Sequence, residues 1–345
     1  MKPSMPTSNI YLGWPGGDKP GKLSFGIPVP KSTRDFIFSA VQEFISLQDG
    51  KDDVHALTKP NSLIGRFRLN ARNGDWFVKV SDVIGFPDLE NEISLYLQKK
   101  NVSINPLAFT KTTVDSLGKQ YRIDIRPFIN GRHYNGSKKD FFSLIETVGQ
   151  LHDALLYFKS QTKIRSIAAK RFNRLARIKD NLKASLKRNS FKIFAEHQAW
   201  AKEHKSWLGT MADEFNPNFH LQPHAQCLHG EIHPGNVIYN RDKATLIDFE
   251  ESVHVFAPRS WDLCYIGQRF CLQPQSNEDK INEQLSSIEK ETGQSVPELA
   301  SMMRQIAWFA MAVILDLRNN HQKVCPQSEY DKFVRLEQQA LSLTV

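Results

Sequence analysis

The stretch Leu228-His229-Gly230-Glu231-Ile232-His233-Pro234-Gly235-Asn236-Val237-Ile238-Tyr239, followed after a polar turn by Thr245-Leu246-Ile247-Asp248-Phe249-Glu250, decides how the chain reads. Asn240-Arg241-Asp242-Lys243 is turn chemistry between two apolar runs, so the order is loop, strand, turn, strand. Such a hairpin brings positions 236 and 248 close together. Asn236 and Asp248 then offer hard oxygen ligands to a single Mg2+ that bridges nucleotide phosphates. Glu231 has the carboxylate needed to accept a proton from an attacking hydroxyl.

His229-Gly230-Glu231-Ile232-His233-Pro234-Gly235-Asn236 with Ile247-Asp248-Phe249-Glu250 resembles the signature of the aminoglycoside phosphotransferase and choline kinase family of small-molecule kinases. That pattern is His-Gly-Asp-x-His-x-x-Asn followed by Asp-Phe-Asp/Glu. One position departs: Glu231 stands where the family has its catalytic Asp. The acid group is the same, and the ordinary acidities of the two side chains lie only about 0.4 apart on the pH scale, so reach is what changes. One extra methylene shifts the carboxylate by roughly 1 Å, and such a displacement can cost about 10²-fold in rate.

The resemblance implies a bilobal, protein-kinase-like α+β fold. Residues 1–130 would form an N-terminal arm and a small antiparallel-sheet lobe that binds nucleotide. Residues 131–345 would form a mainly helical lobe, with a helical insertion at about 160–215 that shapes the acceptor site. Mg-ATP would lie between the lobes.

The N-terminal half supplies candidates for that nucleotide. Ser62–Leu69 and Trp76–Val80 read as two strands, with Asn73-Gly74-Asp75 as the hairpin signal. Lys79 lies in the apolar run Trp76-Phe77-Val78-Lys79-Val80, where an ammonium is costly without a partner. By the resemblance Lys79 holds the phosphates and pairs with Glu92 of the next helix, about Asp88 to Lys100. Ile64 and Gly65 occupy the nucleotide-covering loop. Tyr121 to Gly131 reads as a strand ending at an interlobe hinge, where Pro127, Phe128 and Ile129 would face adenine through backbone groups. Leu144–Tyr157 and Lys163–Trp207 read as helices, and Ile306–Leu317 as a buried core helix.

Composition bounds the rest. The chain has 345 residues, 40% of them apolar and 24% charged, with a formal net charge of +8. No apolar run approaches the roughly 18 residues of a membrane span, and Met1–Pro6 lacks the apolar core of a secretory signal. Four cysteines without zinc spacing read as reduced thiols in a cytoplasmic protein. Residues 1 to about 30 read as an irregular arm anchored by Tyr11 and Trp14.

Lys163 to Lys192 holds eleven Lys or Arg and one acid, Asp180. Aromatics are not regularly interleaved with those charges, so the block offers nucleic acid no stacking platform. Cationic acceptors such as aminoglycosides or choline would need acidic walls, for which Glu278, Asp279, Glu283, Glu289 and Glu291 are available. The overall charge leans toward an uncharged or anionic acceptor. The leading expectation is therefore an ATP- and Mg-dependent kinase for a small-molecule hydroxyl. The alternatives are a catalytically impaired nucleotide-binding module and a kinase acting on a macromolecule. Against the last, no Asp-Phe-Gly or Ala-Pro-Glu motif appears.

Overall fold

Period-two alternation in the N-terminal segments builds an antiparallel sheet in the computed structural model, which describes residues 27–45, 53–57, 63–82, 85–273, 276–321 and 325–344. The strands are β1 (Ile27–Pro28), β2 (Asp53–Ala56), β3 (Gly65–Ala71), β4 (Gly74–Ser81), β5 (Phe109–Val114) and β6 (Gln120–Pro127), in the order β1-β2-β3-β4-β6-β5. Two short ladders join β7 (Gln226–Cys227) to β10 (Phe256–Ala257) and β8 (Val237–Asn240) to β9 (Lys243–Leu246). The helices are α1 (Lys31–Val41), α2 (Pro87–Lys99), α3 (Lys138–Leu156), α4 (Gln161–Lys187), α5 (Gln198–Glu203), α6 (Lys205–Glu214), α7 (Ser260–Ile266), α8 (Glu278–Thr292), α9 (Val296–His321) and α10 (Gln327–Leu341). The expected arm around Tyr11 and Trp14, and Ser62 of the expected covering loop, lie outside the described residues.

The chain divides into two compact units, Met1–Thr147 with Pro234–Glu250, and Val148–His233 with Glu251–Val345. In the first, one face of the sheet is apolar. Phe67 and Leu69 of β3, Val78 and Val80 of β4, and Ile123 and Ile125 of β6 pack with Ile37 and Val41 of α1. Burying such a side chain is worth about 1.5–3 kcal/mol. Alternation then forces Lys79, between Val78 and Val80, onto the opposite face. The β3–β4 turn is Arg72-Asn73, closed by Ala71 pairing with Gly74. Gly74 has φ +127°, a conformation that suits glycine alone. Helix α2 is locked to β6 by a buried ion pair, Arg122 Nη1 to Glu90 Oε1 at 2.8 Å, while Arg122 Nε reaches Asp124 at 2.8 Å.

The β8–β9 hairpin belongs to this unit although Arg132 and Tyr239 are 107 positions apart in the chain. Those two exchange backbone hydrogen bonds at 3.0 and 2.7 Å, and Asn105 N–H donates to Leu246 O at 2.9 Å. The approach requires Gly131, because a Cβ there would lie 2.6 Å from Ile238 Cγ2 and 2.6 Å from Tyr239 O.

The second unit is mainly helical. Leu175, Ile178 and Leu182 of α4 are buried in the spacing the sequence shows. Trp261 packs edge-on against Phe219 and Phe309, at 4.8 and 5.0 Å between centroids. Lys163–Trp207, expected as one or two long helices, holds the long α4 and then shorter pieces: α4 ends at Lys187, Asn189 at φ +51° turns the chain, and α5 and α6 follow. Within α9, Val296–Asn319 is long and apolar enough to cross a membrane by length and composition. Leu299, Met303, Ile306, Ala307, Trp308 and Met311 are nonetheless buried in the protein core, as expected for Ile306–Leu317.

Candidate active site

In the sheet unit, charges gather on the polar face of β4. Lys79 Nζ lies 3.0 and 3.2 Å from the two Asp248 oxygens and 2.8 Å from Glu250 Oε1. Arg66, paired with Lys79 across the β3–β4 ladder, puts Nη2 3.7 Å from Asp248 Oδ2. Burial opposes each of these charges, and the partners decide the balance. Lys79 is raised because Asp248 and Glu250 outweigh its desolvation. Burial would raise Asp248, but Lys79 and Arg66 hold its carboxyl well below the usual carboxylate range. Glu250 goes the other way: burial and the neighbouring Asp248 push it up against the pull of Lys79. Asp248 is thus the firmly ionised member of the pair. Its φ of +65° costs a non-glycine residue about 1–3 kcal/mol and is held by its surroundings.

The hairpin aligns Asn236 with this cluster. Ile247 N–H donates to Asn236 O at 3.0 Å, closing the ladder one residue before Asp248. Asn236 ends a 3-10 turn, Pro234–Asn236, and is buried. His133 Nδ1 lies 3.1 Å from both Pro234 O and Val237 O. Since both are acceptors, Nδ1 carries the proton and braces that turn. Burial lowers the His133 pKa and keeps the ring neutral. An amide oxygen and one firmly ionised carboxylate suit Mg2+, which uses few protein ligands and completes its shell with phosphates and water. Among the described residues no cluster of three or more His, Cys, Asp and Glu could hold a metal by side chains alone.

In the helical unit the loop His229–His233 is fixed by a buried carboxylate. Asp262 accepts from His229 N–H at 3.0 Å, from Gly230 N–H at 2.8 Å and from His152 Nε2 at 3.0 Å. Trp261 Nε1 donates to Gly230 O at 3.1 Å, and Ser252 Oγ to His229 O at 3.1 Å. Gly230 has φ +89°, and a Cβ there would meet Val255 at 3.0 Å and Glu251 O at 3.2 Å. The loop therefore presents Glu231, whose side chain is 43% exposed, with His233 Nε2 at 3.9 Å.

The model of the phosphotransferase enzyme family matches residues 64–293, two thirds of the chain. The chain belongs to the phosphotransferase enzyme family. Among solved structures, this phosphotransferase is similar to a spectinomycin phosphotransferase in complex with AMP, with TM-score 0.59 and 16% identity over 89% of this chain and 98% of that one. An aminoglycoside phosphotransferase in a ternary complex with ADP and hygromycin B matches with TM-score 0.53 and 13% identity, over 91% and 98%. A choline kinase from Streptococcus pneumoniae matches with TM-score 0.50 and 14% identity, over 90% and 99%. At these identities the likeness speaks for the fold, which is the kinase-like α+β arrangement expected from the sequence. No curated protein matches the chain by sequence.

Several of the phosphotransferase's anticipated site residues meet in the sheet unit: Lys79 and Asp248 directly, with Asn236 at the hairpin end. Glu92 is half-buried on α2, and the ion pairs of Lys79 run to Asp248 and Glu250. Ile64 and Gly65 open β3, with Gly65 paired to Val80. Pro127 closes β6 opposite Trp76, and Phe128 N–H is already engaged by Asp75 O at 2.9 Å. Pattern reading missed Glu250, Arg66 and His133. Glu250 had a signal, the acid after Asp248-Phe249. Arg66 and His133 had none, because cross-strand register and hairpin docking bring them in.

Proposed function

We propose that this phosphotransferase transfers the γ-phosphoryl group of ATP, with Mg2+, to a hydroxyl of a small molecule. The carrying observation is the Lys79–Asp248 contact of 3.0 Å in a cluster that keeps Asp248 ionised. Asp248 and Asn236 are the residues that would hold the metal, which supplies charge neutralisation along the phosphates. Lys79 would exchange part of its carboxylate contacts for phosphate oxygens, and Arg66 adds a second cation on the same face. Phosphoryl transfer needs positioning and charge compensation more than covalent work by the protein, so this residue set is sufficient in kind.

Glu231 orients the acceptor hydroxyl and receives its proton. The acceptor oxygen forms a bond to the γ-phosphorus as the bond to the β,γ-bridging oxygen breaks, and ADP leaves with that electron pair. Supporting this reading, the spectinomycin phosphotransferase binds ADP together with spectinomycin, and the aminoglycoside phosphotransferase binds ADP together with hygromycin B.

The test has two stages. ATP with Mg2+ should raise the melting temperature more than either alone, and Asp248→Ala should remove the Mg2+-dependent part. ADP release with a panel of hydroxylated small molecules should then reveal an acceptor. Binding of ATP without turnover on any acceptor would leave a nucleotide-binding module and defeat the transfer reading.

A further inference from the structure

The helical unit holds two buried cations that the phosphoryl-transfer chemistry does not use. Arg269 sits on the π-helical turn Gly267–Cys271, directly after α7, and is only 5% exposed. π-turns are rare and recur at functional sites because the inserted residue is re-aimed. At Gly267 the turn packs on Met303 of α9. Lys332 on α10 is 8% exposed.

The surroundings of these cations are mostly aromatic. The Arg269 guanidinium lies 5.2 Å from the Tyr265 ring and 5.8 Å from the Phe333 ring, and Lys332 Nζ lies 4.8 Å from Phe333. Among the described residues Arg269 makes no ion pair; its side chain hydrogen-bonds Tyr265, and its buried Nε has no hydrogen-bond partner. Lys332 is bonded to Glu329. Burial lowers the Lys332 pKa and the nearby positive charge of Arg269 lowers it further, with Glu329 and Glu231 opposing. The Glu231 carboxylate also acts on Tyr265 through space. Asp262 and Trp261 at the start of α7 hydrogen-bond His229 and Gly230, so the element that continues into Tyr265 and Arg269 is anchored on the loop carrying Glu231.

A buried guanidinium without a carboxylate is costly, and its planar donor fork suits a carboxylate or phosphate. Glu278, Asp279, Glu283 and Glu291 are exposed on α8, and Glu289 accepts from Val296 N–H at 2.9 Å. We propose that the acceptor is a small hydroxylated anion whose carboxylate or phosphate is bound by Arg269 and Lys332 while its hydroxyl faces Glu231. This rests on the reading of Glu231 as the residue that handles the acceptor hydroxyl.

The experiment measures ADP release by the full chain with ATP and Mg2+, and melting shifts with the same compounds. The acceptors are gluconate and glucose 6-phosphate, neutral glucose and myo-inositol, and cationic spectinomycin, hygromycin B and choline. The expected result is turnover or stabilisation by an anion class and by neither other class; the carboxylate and phosphate arms separate the two sources. Arg269→Gln should raise KM for the anion about 10- to 100-fold, the effect of losing one charged hydrogen-bonding partner. It should move kcat less and leave KM for ATP within about twofold. Lys332→Gln should act in the same direction and serves if the first variant does not fold.

Turnover confined to neutral or cationic acceptors overturns the proposal, as does an unchanged KM in both variants. So does a wild-type protein that neither turns over nor is stabilised by gluconate or glucose 6-phosphate. Arg269-dependent stabilisation by anions without any ADP release would keep the anion site and defeat the phosphoryl-transfer reading instead.

Discussion

Lys79 and Asp248, 169 positions apart in the chain, meet with Nζ 3.0 Å from Oδ1. Each shifts the other toward its ionised form. The contact ties the central sheet to the end of the β8–β9 hairpin inside one folding unit.

Asp248→Ala removes the carboxylate while Lys79 keeps Glu250 as a partner. Phosphoryl transfer should fall by at least about 10²-fold, the scale seen when one preorganised charge-stabilising group is removed. Steady-state ADP release with a working acceptor measures it. Activity within a few-fold of wild type would rule Asp248 out as a metal-holding residue.

Glu231→Asp shortens the reach and leaves the acid group in place. The backbone of the loop is set by Asp262, Trp261 and Ser252 contacts to residues 229 and 230, and none of these touches the 231 side chain. The expected outcome is equal or higher kcat. A drop of about 10²-fold would mean that the longer side chain is the one the site is built around.

Asp262→Asn should destabilise rather than retune. The carboxylate accepts three hydrogen bonds in a fully buried position. An amide has one acceptor oxygen and brings donors to where donors already point, leaving buried N–H groups unpaired. Urea unfolding should show a loss of about 2–4 kcal/mol. A change below about 0.5 kcal/mol, within the range of ordinary surface substitutions, would mean that the loop does not depend on this carboxylate.

His133 makes stability pH-dependent. Burial holds its folded pKa below the ordinary value of 6.5, so the unfolded chain binds the proton more tightly. Stability rises with pH wherever the unfolded state binds more protons, so it is lost as pH falls through 6.5 toward the folded value. His133→Asn retains a donor for the Pro234 and Val237 carbonyls without the titration. Urea midpoints from pH 8 to pH 5 should fall more steeply for wild type than for this variant, and parallel curves would refute the assignment.

The local code was readable in the residues. The turn at Arg241-Asp242 and the spacing of Leu175, Ile178 and Leu182 are short-range patterns fixed by backbone geometry, and the structure carries them. Motif order likewise pointed to Lys79, Asn236 and Asp248, because the chemistry tolerates few residue types. Which acid faces Lys79 was not readable. Glu90, Glu92, Asp248 and Glu250 are all carboxylates, and only the docking of the hairpin on Arg132 and Asn105 chooses among them. With Glu90 drawn into the Arg122 ion pair, Asp248 and Glu250 come to the lysine. The buried Arg269 was invisible for the same reason. An arginine in a sequence carries no sign of burial, and only the packing of a π-turn, α9 and α10 takes it out of water.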